Sequence, residues 1–265
     1  PPSVRFGFEM AWRTLFKKFD LEEKIHSGAE VIFESKKAEN YTALKQIPVN
    51  ALVTGSGDDL RHQCEQIKLD GFKAVKIKVG QLKVHEDLKR LELAKKIFEN
   101  QIHLRVDANR AWEFKQATEF AMGVRDFNVE YCEEPLRNIK QIEKLYEQTG
   151  MQMALDETLW SNPDPIELPN SAISALILKP GILGGWVNTR LWINHAEKHK
   201  LQTVISSSME SGIGLNWIAF TDLCLLNKKT PAGLDSVKFF QYDLSDPPFS
   251  ISQGNYVFPN SWPVA

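Results

Sequence analysis

The sequence has few cysteines, no long hydrophobic run and almost no excess of either charge. Its three cysteines, Cys64, Cys132 and Cys224, are too widely separated for a paired-cysteine metal motif or a disulfide framework. No apolar run approaches the ~18 residues of a membrane span, and the first ten residues lack the pattern of a signal peptide. The 32 basic residues oppose 34 acidic ones, so no charged surface favours nucleic acid or an anionic membrane. We therefore expect a cytoplasmic globular protein whose partner is a small molecule.

From about residue 48, short β-rich runs alternate with longer segments of helical periodicity. Strands are predicted at residues 49–54, 74–79, 103–106, 129–132, 152–155, 175–178 and 203–206, with a weaker eighth at 233–237. Helices are predicted at residues 59–69, 85–98, 113–127, 139–148, 187–199 and 215–226. The strand spacing, and the lack of a GxGxxG turn after the first strand, favour an α/β barrel over a doubly wound sheet. Residues 1–47 do not fit this repeat; we assign 48–237 to the barrel and expect 238–265 to pack back on it or on the N-terminal part.

Charged residues follow most of the predicted strands. Taken one per strand, they are separated by 29, 26, 23 and 23 residues, each about one βα unit: Lys78, Asp107, Glu133, Asp156 and Lys179. Singly, each is compatible with a turn, a helix cap or a solvated strand face. In a barrel, however, equivalent strand ends lie on one rim and face one cavity. The spacing therefore predicts three carboxylates at the C-terminal mouth with a lysine on each side.

Three adjacent carboxylates repel one another, and a hard divalent cation with oxygen ligands relieves that repulsion. Mg²⁺ fits this set, with Mn²⁺ as a substitute, whereas zinc would favour histidine or cysteine ligands. A metal bound to a substrate carboxylate would offset the charge that develops when an α proton is removed.

The flanking lysines provide groups that can transfer this proton. Lys78 shares a strand face with Lys76, and that neighbour together with a cation favours the neutral amine that a base requires. Lys179, on the opposite wall, can supply fixed positive charge or protonate the other face of the substrate. Arg105 shares a strand face with Asp107, and we expect Arg105, Lys76 and Asn109 to contribute to substrate binding.

Six motifs together resemble the enolase superfamily, in the subgroup of muconate-lactonizing enzymes. They are KIK at 76–78, RVDANRAW at 105–112, YCEEPL at 131–136, ALDETLW at 154–160, LKPGILGG at 178–185 and SSSMESGIGL at 206–215. DANRAW and SSSMESGIGL are most similar to motifs of the o-succinylbenzoate synthases. The resemblance extends from about residue 5 to residue 237. It is specific because six motifs occur in the right order at the right spacing.

The resemblance implies a (β/α)7β TIM-like barrel with an N-terminal α+β capping domain, of which residues 1–47 would be the last part. It implies Mg²⁺ held by Asp107, Glu133 and Asp156, with Glu133 rather than Glu134 as the ligand. It further implies Lys78 as the base of a syn dehydration and Lys179 as a charged group that stabilises the enolate. The implied substrate is 2-succinyl-6-hydroxy-2,4-cyclohexadiene-1-carboxylate, and the implied pathway is menaquinone synthesis.

The same resemblance implies that short donors hold the succinyl carboxylate of the substrate. They belong to three serines and one glycine: Ser206, Ser207, Ser208 and Gly233.

Two other functions stay open on the sequence. An N-succinylamino-acid racemase or dipeptide epimerase would use the same three acids, with Lys78 and Lys179 as a pair of bases. A barrel that keeps the metal ligands without turnover would be a binding or structural protein. The spacing of the motifs does not separate these alternatives, because dehydration and racemisation begin with the same proton abstraction.

Overall fold

The computed structural model describes residues 1–18, 46–160, 165, 171–226 and 230–258. The strands are β1 (Gln46–Pro48), β2 (Ala51–Val53), β3 (Ala74–Lys78), β4 (His103–Asp107), β5 (Val129–Glu133), β6 (Met153–Leu155), β7 (Ile173–Leu178), β8 (Gln202–Ile205), β9 (Ile251–Ser252) and β10 (Asn255–Val257). The helices are α1 (Pro2–Lys18), α2 (Gly57–Leu69), α3 (Val84–Phe98), α4 (Phe114–Gly123), α5 (Ile142–Thr149), α6 (Glu157–Trp160), α7 (Pro180–Leu183), α8 (Trp186–His199) and α9 (Gly212–Leu225). Short 3-10 helices span Ile139–Gln141 and Val237–Phe239.

Strands β2 to β8 form one parallel sheet in chain order, with a helix between each pair of neighbours. The two edges of this sheet are joined by Ala232 and Gly233. Ala232 forms a parallel bridge with Val49, just before β2, and Gly233 forms one with Ser206, just after β8. The sheet thus closes into a barrel, as predicted, and its strand ends face a common mouth.

The predicted extent of the eighth strand, residues 233–237, is wrong. Between residues 230 and 237, all of which the structure describes, only Ala232 and Gly233 bridge the neighbouring strands, and Val237 begins a 3-10 helix. The closure rests on backbone hydrogen bonds, including Asn50 N to Ala232 O at 2.9 Å and Gly233 N to Ile205 O at 2.8 Å. Two paired residues are too few to show the alternation of apolar and polar side chains that marks a strand, so the sequence pattern did not locate this pairing.

Within the described ranges, the apolar core has two parts. The larger lies between the sheet and the helices, where α2 buries Leu60, Cys64 and Ile67 at helical spacing. The smaller is a separate cluster of residues on β5 to β8: Tyr131, Ala154, Ala175, Ile177 and Val204. Because side chains alternate along a strand, this face also carries the polar residues at the strand ends.

The N-terminal helix and the C-terminal segment pack against the barrel. Helix α1 contacts α7, buries Phe6, and places Glu9 Oε2 2.6 Å from the backbone N–H of Trp186 at the start of α8. Strand β10 pairs antiparallel with β1 and with β9. Residues 19–45, which include most of the expected remnant of a capping domain, and residues 259–265 lie outside the described part of the chain. None of the described helices has both the length and the apolar character to cross a membrane.

Candidate active site

The charged residues predicted at the barrel mouth meet there as a cluster of ion pairs. Backbone register places Lys78 beside Asp107, and Asp107 beside Glu133, on adjacent strands. The Lys78 amine lies 2.5 Å from Asp107 Oδ2, and on the other side of the cluster the Lys179 amine lies 2.5 Å from Asp156 Oδ2. The spacing of one βα unit therefore brought all five residues to one rim.

A third lysine lies within the acid cluster. The Lys76 amine is 3.1 Å from Glu133 Oε2 and 3.3 Å from Asp107 Oδ2. Burial opposes the charging of Lys76, but the carboxylates of Glu133 and Asp107 outweigh it and raise the pKa of Lys76 well above its ordinary value. Lys76 is therefore a permanent cation bound to the acids, and the role predicted for it in substrate binding stays a prediction.

The three acids are almost fully buried, which makes their charges costly without counter-ions. Burial, and then the Asp107 carboxylate, raise the pKa of Glu133 well above its usual range. Burial also opposes ionisation of Asp107, but Lys76 and Lys78 outweigh it and lower its pKa to about 2. The site thus places three buried carboxylates against three lysine amines.

The consecutive residues Glu133 and Glu134 have different partners. Glu133 faces the lysines, whereas Glu134, also fully buried, accepts hydrogen bonds from the backbone N–H groups of Asp156 at 3.0 Å and Thr158 at 2.6 Å. Its second oxygen accepts from Arg110 Nε at 3.0 Å. Glu134 adopts a left-handed backbone, with φ of 41°, which turns the chain at the strand end. Glu134 thereby holds the start of α6, next to Asp156, in place.

Asn109 and Glu157 form a chain of hydrogen bonds that ends on Lys78. Asn109 Oδ1 accepts from the Lys78 amine at 2.7 Å, and Asn109 Nδ2 donates to Glu157 Oε1 at 2.8 Å. Burial, and then the charge of Asp156, raise the pKa of Glu157. Sequence reasoning placed Asn109 with the substrate and gave Glu157 no role in the site. The available signal was its position directly after a predicted metal ligand.

Trp160 lies beside the cluster on helix α6. Its indole N–H donates to Asp156 Oδ1 at 3.1 Å, and the Lys179 amine lies 5.3 Å from the centre of its ring. Trp160 also lines a cavity of about 420 Å³ together with Leu183 and Arg5. Trp160 therefore contacts both members of the Lys179 and Asp156 ion pair.

The serines predicted to bind substrate surround Gly233 and Glu210. Ser207 Oγ donates to the Gly233 carbonyl at 3.0 Å, and Ser206 Oγ lies 3.3 Å from the same oxygen. Both Ser208 donors, its backbone N–H and its hydroxyl, bind Glu210 at 2.6 Å. The serine donors follow β8, on the rim that also carries the acids, and they are engaged within the protein.

Arg105 lies within the barrel, one strand layer below the mouth, as its register beside Lys76 shows. Its side chain is 1% exposed and binds Glu130 Oε2 at 2.7 Å, Asn50 Oδ1 at 3.1 Å and the Pro231 carbonyl at 2.8 Å. These hydrogen bonds engage Nε and Nη1 of the guanidinium. Among the predicted substrate-binding residues, Arg105 is therefore the register neighbour of Lys76, but its own hydrogen bonds go to Glu130, Asn50 and Pro231.

The donor chemistry of the three acids suits a hard cation, because all their ligating atoms are carboxylate oxygens. Within the described ranges, however, no three His, Cys, Asp or Glu side chains stand close enough together to hold a metal ion. Lysine amines lie against these oxygens instead, at Asp107, Glu133 and Asp156. A cation would have to compete with these amines, and the magnesium site stays a prediction.

Comparison with known families agrees with this geometry. Residues 59–262 match the family described as enolase C-terminal domain-like. The chain belongs to the enolase superfamily. The chain is 31% identical over 254 residues to o-succinylbenzoate synthase of Vibrio cholerae. This match covers 93% of the chain and 68% of that enzyme. The chain is also 33% identical over 224 residues to protein PHYLLO, chloroplastic, of Arabidopsis thaliana, covering 81% of the chain and 13% of that protein. The predicted superfamily is therefore confirmed.

Solved structures show the same fold. The crystal structure of MenC from Desulfotalea psychrophila has a TM-score of 0.67 and 25% identity, and the match covers 80% of this chain and 60% of that one. A dipeptide epimerase from Cytophaga hutchinsonii, complexed with Mg and a dipeptide, has a TM-score of 0.69 and 22% identity, covering 83% of this chain and 62% of that one. The chain thus spans about three fifths of these structures, and the predicted barrel is confirmed.

Proposed function

We propose that this chain carries the active site of an o-succinylbenzoate synthase, which dehydrates 2-succinyl-6-hydroxy-2,4-cyclohexadiene-1-carboxylate to 2-succinylbenzoate. The observation that carries the proposal is the cluster at the mouth, where Lys78 and Lys179 each bind a buried carboxylate from a different strand. The sequence similarity to o-succinylbenzoate synthases over 93% of the chain supports it. In this account the reaction is a step of menaquinone synthesis in the cytoplasm.

In the proposed reaction, Lys78 removes the proton α to the substrate carboxylate. The electron pair of the broken C–H bond passes into the enolate, and Lys179 stays charged and stabilises it. The enolate then expels the hydroxyl group on the same face, and Lys78 returns its proton so that water leaves. The ring becomes aromatic, and one substrate yields one 2-succinylbenzoate and one water.

The acids that would hold Mg²⁺ are Asp107, Glu133 and Asp156. Bound Mg²⁺ would supply positive charge that offsets the charge of the enolate. Burial, and then the Asp107 carboxylate, raise the pKa of Glu133, and a bound cation would favour its charged form. The hydroxyl groups of Ser206, Ser207 and Ser208 would exchange their hydrogen bonds to the Gly233 carbonyl and to Glu210 for bonds to the succinyl carboxylate, which would lie beside Gly233.

A second candidate is the racemisation or epimerisation of an N-acylated amino acid. The specific observation in its favour is that Lys78 and Lys179 pair with acids on strands at opposite ends of the cluster, as a two-base reaction requires. Epimerases are also among the solved structures of this fold. At 20% and 22% identity they show the fold alone, so we rank this candidate second.

A substrate panel separates the candidates. The full chain with Mg²⁺ should convert the cyclohexadiene substrate to an aromatic product that is followed by its absorbance. It should not release α deuterium from a panel of N-succinyl amino acids at a comparable rate. Faster exchange from the panel would favour the racemase, and calorimetric Mg²⁺ binding without either reaction would favour a barrel that binds metal without turnover.

A further inference from the structure

Two side chains beside Lys78 limit the directions in which its amine can point. The amine contacts Asp107 Oδ2 at 2.5 Å and Asn109 Oδ1 at 2.7 Å. A neutral lysine amine has two N–H donors and one lone pair, arranged tetrahedrally around nitrogen together with the bond to carbon. When two acceptors take both N–H groups, the lone pair can occupy only the remaining direction. A base held in this way has a fixed direction for proton removal.

The amide of Asn109 can serve as this acceptor only in one of its two orientations. Rotation by half a turn would place the NH2 group, a donor, against the lysine donors. Glu157 fixes the orientation because its Oε1 accepts from Asn109 Nδ2 at 2.8 Å, and a carboxylate accepts hydrogen bonds without donating any. The backbone N–H of Asn109 donates to Asp107 Oδ1 at 3.1 Å, so the residue is anchored at both ends.

The local backbone also suits an asparagine at this position. Asn109 has a φ of 44°, in the left-handed region that asparagine tolerates better than most residues. Arg110, with a φ of 60°, continues the same turn and binds Glu134. The turn after β4 thereby brings the amide between Lys78 and Glu157, although 31 residues separate Lys78 from Asn109 and 48 separate Asn109 from Glu157.

We propose that Asn109 and Glu157 are positioning residues that aim the Lys78 amine at the substrate proton. This inference rests on the proposed role of Lys78 as the base. It gives Asn109 a role other than direct substrate binding. It also gives Glu157, the residue next to a predicted metal ligand, a role in orienting the base rather than in holding the metal.

Variants of Glu157 and Asn109 test this assignment kinetically. Glu157→Ala and Asn109→Ala should each lower kcat by about 10-fold to 100-fold, the range expected when a reacting group is displaced by up to about 1 Å. KM should change by less than about threefold. The double variant should be no slower than the slower single variant, because both changes interrupt one chain of hydrogen bonds. Glu157→Gln should lose less activity than Glu157→Ala, since its amide oxygen can still accept from Asn109 although its NH2 group allows the other orientation as well.

The matched control is Glu147→Ala, which removes an exposed glutamate on helix α5. The Mg²⁺ concentration needed for half-maximal activity should stay unchanged in Glu157→Ala. If Glu157 bound the metal, this concentration would rise. Activity of Glu157→Ala equal to the control, additive losses in the double variant, or no recovery with Glu157→Gln would each overturn the proposal.

A structure of the Glu157→Ala variant gives a readout that does not depend on the reaction. The Asn109 amide should rotate, and the Lys78 amine should leave the contact with Asn109 Oδ1 that measures 2.7 Å here. An unchanged contact would contradict the positioning role even if the wild-type chain lacked dehydratase activity. Inactive wild-type protein with the predicted rotation would instead contradict the proposed function alone.

Discussion

Glu133 and Glu134 are neighbours in the chain, yet they bind opposite parts of the site. Glu133 contacts the Lys76 amine among the buried acids, whereas Glu134 accepts the backbone N–H groups of Asp156 and Thr158. One residue thus belongs to the charged cluster, and the other fixes the strand end that supplies the next acid. The distinction that the family resemblance implied for this pair corresponds to two different sets of contacts.

We expect Glu134→Ala to destabilise the fold and to weaken Mg²⁺ binding. The substitution leaves the buried N–H of Asp156 without an acceptor, a loss that costs roughly 1–3 kcal/mol for each such group. Chemical denaturation and calorimetric Mg²⁺ titration would measure both effects. Glu92→Ala, at an exposed position on α3, is the control. Stability and affinity equal to the control would show that Glu134 does not hold this strand end.

Asp222 predicts a pH-dependent stability that is independent of the active site. Burial raises its pKa from 3.8 to about 8, and its buried Oδ1 has no hydrogen-bond partner among the residues that the structure describes. Because the Asp222 carboxyl has a higher pKa in the folded chain than in the unfolded one, its protonation stabilises the folded state. The stabilisation is therefore complete below pH 3.8 and is lost as the pH rises towards 8.

The Asp222→Asn variant, which cannot ionise, should lack this loss. Its free energy of unfolding relative to wild type should increase between these pH values by up to about 1.4 kcal/mol per pH unit. Denaturation curves at several pH values give the difference. Asp126→Asn, at an exposed position, should show no such trend. A constant difference between Asp222→Asn and wild type would mean that Asp222 ionises normally.

Gly233→Ala tests the arrangement of the serines. A Cβ at this position would lie 2.4 Å from Ser206 Oγ and 3.0 Å from Ser206 Cβ, so Ser206 would have to move. We expect a higher KM with a smaller change in kcat, and a stability loss of about 1–3 kcal/mol from overpacking. Gly7→Ala is the control, because a Cβ there meets nothing within 4 Å. An unchanged KM would remove Gly233 and Ser206 from the substrate site.

The sequence predicted the barrel and its charged mouth because both follow from regular spacing. Each strand end lies about one βα unit from the next, so Lys78, Asp107 and Glu133 had to reach a common rim. Alternation along a strand also placed Arg105 on the same face as Asp107, but it does not show how far below the barrel mouth the Arg105 side chain lies. The structure places Arg105 a layer lower, bound to Glu130 and Asn50.

Other features depended on contacts that no local pattern encodes. The bond between Asn109 and Glu157 joins two loops 48 residues apart, and neither residue type reveals its partner. Closure of the barrel by Ala232 and Gly233 uses backbone groups, which every residue has. The hydrogen bond from the Trp160 indole N–H to Asp156 depends on the placement of α6, which no local pattern predicts.

Proton abstraction by Lys78 is the central claim. The rate at which labelled substrate is converted to product by wild type and by a Lys78 variant tests it most directly. Substrate deuterated at the carbon α to the ring carboxylate should lose its label to solvent as aromatic product forms with the full chain and Mg²⁺. The Lys78→Ala variant, folded as judged by circular dichroism, should form product at least about 100-fold more slowly, the contribution typical of general base catalysis. Product formation by Lys78→Ala at the wild-type rate would contradict the account.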